Sequence, residues 1–202
     1  IEEGRDYDEC LAVVKRLTDE RGLTVIHGTN NADVLAGAGT ITLEVVEQTP
    51  TLDAMVIAVG GGSQAVGALT VLRALRPEVA VFGVQAAGAP AIYEGWRAGQ
   101  PTTLDRADTF ADGVATRSTY EMTFPTLCAG LAGFVTVTDA EIAEAVRLLL
   151  ATTHNVAEGA GAAGLAGLMA LRAELEGKTV AVILSGGNID RETLRQVLAH
   201  EL

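Results

Sequence analysis

The sequence predicts an α/β fold built on a parallel sheet, and three features point that way together. Short apolar runs alternate with stretches of helical periodicity from Asp53 onward. Glycine-rich turns follow the first and last of those runs, at Gly60–Gly62 and Gly186–Gly187. Helix-start signals stand where the alternation needs them. The strands read as Ala54–Val59, Val79–Val84, Phe134–Val137 and Thr179–Leu184. Between them run a helix reaching Arg76, a helix over Ala89–Ala98, and a helix opened by the capping box of Thr138 and Glu141. A small-residue helix over Ala160–Leu171 precedes the last strand, and Asp190 caps a closing helix.

Ahead of this alternation the chain reads differently. Asp6 and Glu9 form a capping-box start for a helix over Asp6–Arg21, which Gly22 ends. A β-branched run, Leu23–Ile26, gives way to the polar stretch His27–Asp33, the best candidate for a domain boundary. A further helical pattern covers Ala36–Glu47. The chain opens on Ile1 without a targeting segment, so it reads as a piece of something longer.

Composition narrows the function classes. The 202 residues carry 14 Lys and Arg against 26 Asp and Glu, a formal charge of −12 that repels a polyphosphate backbone and argues against nucleic-acid binding. The longest charge-free stretch, Ala54–Leu72, is broken by Gly60–Gln64, so no membrane span is expected. Cys10 and Cys128 lack disulfide or metal spacing, which favours free thiols and a cytoplasmic setting.

Val59-Gly60-Gly61-Gly62-Ser63 is the sharpest motif, because it leaves an apolar strand and enters a helix. Glycines there let backbone amides face an anion at the positive end of a helix dipole, which makes a phosphate cradle. A tight turn without a ligand is the plainer alternative. Gly60, Gly62 and Ala65 also fit a dinucleotide fingerprint, but the following strand ends in Gln85 where a ribose-binding acid is wanted. No Gly-Lys-Ser/Thr follows the glycines, which excludes a nucleotide P-loop. The second turn, Ser185-Gly186-Gly187-Asn188, lies on the same predicted rim. A Ser185 hydroxyl can bond a heteroaromatic nitrogen without favouring its protonation, or can simply bond nearby backbone. His27, His154 and His200 show no ligand spacing and receive no role.

Taken in order, Ala36-Gly-Ala-Gly-Thr40 with Leu43-Glu44, Val59-Gly-Gly-Gly62, Ala111-Asp-Gly113, Glu158-Gly-Ala-Gly-Ala162 and Leu184-Ser-Gly-Gly-Asn-Ile-Asp190 resemble the threonine and serine dehydratases, fold-type-II pyridoxal-phosphate enzymes related to the tryptophan synthase β subunit. The resemblance spans nearly the whole chain and implies a C-terminal portion of such an enzyme. The implied architecture is an open parallel sheet with helices on both faces, the large pyridoxal-phosphate-binding domain over residues 31–202, preceded by the tail of a smaller α/β domain over residues 1–30. It implies that Gly60, Gly61, Gly62 and Ser63 hold the phosphate of pyridoxal 5'-phosphate, that Ser185 faces the pyridine nitrogen, and that Gly113 and Glu158 lie close to the ring. An exposed carboxylate at a helix start is the plainer reading of Glu158.

The implied activity is a lyase of amino-acid metabolism that turns threonine or serine into a 2-oxo acid and ammonia. A racemase, another β-elimination enzyme or a non-catalytic anion-binding fragment are the alternatives. The implied partners are a small amino-acid substrate, the N-terminal portion of the same enzyme and further copies in a homo-oligomer. Several departures matter. Ser63 stands where the family has a fourth glycine, and Ile26–Asn31 stands where many members carry His-Pro-Phe-Asp. Gln85 and Ala91 occupy places where cation-binding members carry Glu and Asp, so no metal is expected there. The family's Ser-Phe-Lys-like and Ser-x-Gly-Asn-His-like motifs are missing from these residues. Only Lys15 and Lys178 are present. Lys15 lies on a polar helix face, and seven strand residues place Lys178 roughly 23 Å from Ser185, so neither is the Schiff-base lysine. This stretch alone is therefore expected to be inactive. The chain ends soon after Asp190, and no regulatory domain is expected beyond it.

Overall fold

The computed structural model describes residues 1, 3–4 and 7–202. Four parallel strands, β1 (Ala54–Ala58), β2 (Ala80–Ala86), β3 (Gly133–Val137) and β4 (Val180–Val182), lie in the order β3-β2-β1-β4. Ala54 of β1 sits opposite Ala80 of β2 on one side and Val180 of β4 on the other. A strand paired on both sides and covered on both faces has no wet face, so β1 is apolar at every position rather than alternating.

Two helical layers provide that cover. On one face, α6 (Asp139–Thr153), α7 (Gly159–Ala170) and α8 (Arg191–Leu198) bury Ile142, Val146, Ala163 and Val197 with Val56 and Val84 of the sheet. On the other face, α3 (Ser63–Leu75), α4 (Ala91–Ala98) and α5 (Phe124–Gly130) bury Val66, Leu72, Ile92 and Leu127 against Met55 and Ile57. The α/β architecture with helices on both faces thus matches the expectation. The helix α2 (Ala32–Gln48) lies outside α3, and α1 (Tyr7–Arg21) brings Leu11 to the edge of the second core.

The local signals behave as physical chemistry requires. Thr138 and Glu141 form the reciprocal capping box at α6, and Asp190 accepts from the amides of Glu192 and Thr193 at α8. Asn31 does the same for α2, at Asp33 and Val34. The expected Asp6 cap lies outside the described residues. The closing strand is shorter than its apolar run, because it is an edge strand that leaves β1 after Val182. Leu23–Ile26 belongs to no strand, and Ile26 is 77 % exposed; β-branched residues alone do not make a strand without a neighbour. Two elements escape the sequence reading: α5, and a 3-10 turn over Asp112–Val114.

Where α2 crosses α3, backbone meets backbone. A Cβ on Gly67 would stand 2.6 Å from the amide nitrogen of Gly39, whereas one on Gly37 would meet open space. Gly67→Ala is therefore expected to force the helices apart and cost about 1–3 kcal/mol. That corresponds to a fall in melting temperature of about 2–4 °C per kcal/mol for a domain of this size. Gly37→Ala is expected to leave stability unchanged or raise it by up to ~1 kcal/mol by relieving a helix-interior glycine. Thermal unfolding of the two variants side by side checks the contrast, and equal melting temperatures would contradict the described crossing.

Candidate functional site: two glycine turns on one rim

The order β3-β2-β1-β4 places the reversal of the sheet between β1 and β4, and open α/β sheets gather ligands outside the carboxyl ends of the strands at such a point. The turn after β1 is Gly60-Gly61-Gly62, with Gly62 in the left-handed region at φ 93° and acting as N-cap of α3 without a side-chain capping bond. The turn after β4 brings Ser185. Both turns line one cavity of about 160 Å³, together with Ser63, Gly113 and Ala160. The expected residues Gly60, Gly61, Gly62, Ser63, Gly113 and Ser185 therefore meet in space.

Glu158 lies one step away. It lines an adjoining cavity of about 370 Å³ that shares Gly113 and Ala160 with the first. Half-buried at the N-cap of α7, its carboxylate accepts from the Asn188 amide at 3.0 Å, and its own amide donates to the Gly186 carbonyl at 3.1 Å. Its observed work is to brace the Ser185–Asn188 turn.

The polarity of the first turn is one-sided. The Gly60 carbonyl accepts from the Thr116 hydroxyl at 3.3 Å, the Gly61 carbonyl from the Thr123 hydroxyl at 2.7 Å, and the Gly62 carbonyl from the Val66 amide at 2.9 Å. Among the described residues, no acceptor meets the amides of Gly60, Gly61, Gly62 or Ser63. A run of donors without acceptors at a helix N-terminus is suited to an anion. The backbone is also crowded from behind: a Cβ on Gly60 would collide with the Gly113 carbonyl, and one on Gly61 with the Thr29 side chain. The free amides of this turn fit a phosphate group, and Ser185 lines the same cavity.

Thr29, Thr116 and Thr123 escape the sequence reading, since nothing local marks a threonine whose partner is up to 62 residues away. His27, which carried no expected role, organises the loop that supports Gly61. Its Nδ1 accepts from the amides of Thr29 and Asn30, both at 2.9 Å, and its ring lies 5.8 Å from that of Tyr120. Gln85 turns its amide oxygen to the Ile92 and Tyr93 amides at 3.1 and 3.0 Å, capping α4. Lys15 is exposed and paired with Asp19, while Lys178 precedes β4 at the end of the sheet opposite the rim.

Comparison with known proteins shows what the chain is similar to. The family described as pyridoxal-phosphate dependent enzyme matches residues 1–186. The L-threonine ammonia-lyase of Thermotoga maritima is 35 % identical over 98 % of this chain and 49 % of its own length. That of Geobacter sulfurreducens is 38 % identical over 98 % and 50 %. The processed form of threonine deaminase isoform 2 from Solanum lycopersicum superposes with a TM-score of 0.92 at 29 % identity, covering 98 % of this chain and 55 % of that one. The chain thus spans about half the length of the curated relatives it matches. None of the helices among the described residues is long and apolar enough to cross a membrane.

Asp190, which lines the larger cavity, has its carboxyl held below the usual carboxylate range by the Thr193 hydroxyl first and by the Thr193 and Glu192 amides after it. A carboxyl lowered in the folded state stabilises the fold above its unfolded pKa, about 3.9, and that stabilisation is lost as pH falls through the lower folded value. Asp190→Asn is expected to lower the melting temperature at pH 7, where the ionised carboxylate contributes, and to flatten its fall below about pH 4. Thermal unfolding across that range measures it, and superimposable acid limbs would remove Asp190 from the acid response.

Proposed function

The chain belongs to the family of pyridoxal-phosphate dependent enzymes, and we propose that it forms the cofactor-phosphate part of an ammonia-lyase that converts threonine or serine to a 2-oxo acid and ammonia. The observation that carries this reading is the meeting, at the switch point of the sheet, of a donor-only glycine turn with a serine hydroxyl. When bound, pyridoxal phosphate supplies an electron sink for charge released at the substrate α-carbon.

The residues of this chain would bind and orient. The amides of Gly61, Gly62 and Ser63 would donate to phosphate oxygens, aided by the α3 dipole, and the Ser63 hydroxyl would add a further contact. Ser185 offers the ring nitrogen a neutral hydroxyl; a carboxylate there would favour the protonated ring. Gly113 leaves the wall between the two cavities free of a side chain, so that a flat ring can approach. Glu158 keeps Ser185 in place by holding the turn that carries it.

Neither lysine of the chain reaches the rim, so the lysine that carries the cofactor belongs to the N-terminal portion of the same enzyme. Residues 1–30 are the tail of that portion's domain, and residues 31–202 are the cofactor-binding domain. The assembly is a cytoplasmic homo-oligomer acting on a small amino acid. No divalent cation is assigned to Gln85 and Ala91, because the Gln85 oxygen is already used on two amides.

Titration of the chain with pyridoxal 5'-phosphate and with pyridoxal, followed by absorbance, tests the reading. The phosphate ester is expected to bind about 100-fold more tightly or better, the worth of two or three charge-assisted hydrogen bonds. Equal affinities would sink the cradle. With the lysine-bearing portion supplied, threonine should yield 2-oxobutanoate; a D-amino acid without 2-oxobutanoate would move the protein to the racemases.

A further inference from the structure

Building on the reading of Gly60–Ser63 as a phosphate cradle, we infer that Thr116 and Thr123 are positioning residues, whose hydroxyls fix the peptide planes that aim the cradle amides. A trans peptide is planar, with its C=O and N–H pointing in opposite directions. Holding the Gly60 carbonyl therefore sets the direction of the Gly61 N–H, and holding the Gly61 carbonyl sets that of the Gly62 N–H. Thr116 holds the first at 3.3 Å and Thr123 the second at 2.7 Å. The third plane, between Gly62 and Ser63, is held by the Val66 amide of α3 itself.

Glycine makes such tethers necessary. Without a Cβ, Gly60 and Gly61 have access to backbone conformations closed to other residues, so a turn rich in glycine can present carbonyls as readily as amides. Carbonyls turned into the cavity would repel an anion.

Thr123 shows where its hydroxyl is committed. It stands at the N-cap position of α5, where a threonine side chain ordinarily accepts from its own helix, yet it makes no capping bond there. Instead it is fully buried and donates across the fold to Gly61. The neighbouring Met122 amide donates to the Asn30 side chain at 3.2 Å, and Thr29 packs on Gly61, so the start of α5 and the 27–31 loop hold the turn together.

Inorganic phosphate binding, followed through the amide resonances of Gly61, Gly62 and Ser63, separates aiming from folding. Thr123→Val, which keeps the shape and removes the hydroxyl, is expected to weaken phosphate binding about tenfold, the worth of one buried hydrogen bond. The phosphate-induced shift at the Gly62 amide should shrink with it. Thr123→Ser should restore both, which a loss of packing would not allow. Thr116→Val, at the longer bond, should weaken binding about threefold through the Gly61 amide, and decides the matter if Thr123→Val does not fold. Wild-type affinity with wild-type amide shifts in the folded valine variants overturns the inference and leaves the cradle standing. Failure of the unaltered chain to bind phosphate overturns both.

Discussion

The constraint on which this structure depends is the close approach of backbone to backbone at positions that cannot carry a side chain. The helix α7 shows it at the centre of the molecule. Its sequence is almost wholly Gly and Ala up to Leu165, and it lies over β1 and β2 with Gly164 near the Val56 carbonyl and Gly167 beneath Val84. A larger side chain on that face would lift the helix from the sheet and open the first core. The same helix carries Glu158 at one end, and a Cβ on its Gly161 would strike the Gly186 carbonyl. Sheet packing and the position of the Ser185 turn are therefore set by one element.

The rim inherits its geometry from that packing. The strand β1 is paired on both sides, so its end is fixed relative to β4, and the two turns that leave them face each other across a small cavity. Segments distant in the chain then close around the first turn: Thr29 from the N-terminal loop, Gly113 and Thr116 from the stretch before α5, and Thr123 from its start. Each contacts main chain. What the first turn presents to the cavity is thus backbone, with these side chains acting from behind.

Much of this is legible in the sequence, for identifiable reasons. Burial on both faces forces a continuous apolar run such as Met55–Ile57, and helix caps such as Thr138 with Glu141, or Asp190, depend on neighbours three residues away. The glycine turns are legible because they follow strands. Leu23–Ile26 misleads because pairing, which a strand needs, is not a local property. The helix α5 is hidden by its brevity, and Thr123 by the distance along the chain to Gly61. The bond of Glu158 to the Asn188 amide is visible only once α7 and the final turn are brought together.

A cradle made of peptide groups is blind to side-chain identity. In evolutionary terms it is conservative: substitutions that leave the turn free of Cβ atoms and its carbonyls held from behind can accumulate around it without altering what it grips. Novelty in such a protein must enter elsewhere, at the walls that meet the reacting part of the ligand. One anchoring end can then serve a succession of chemistries while the opposite end diverges.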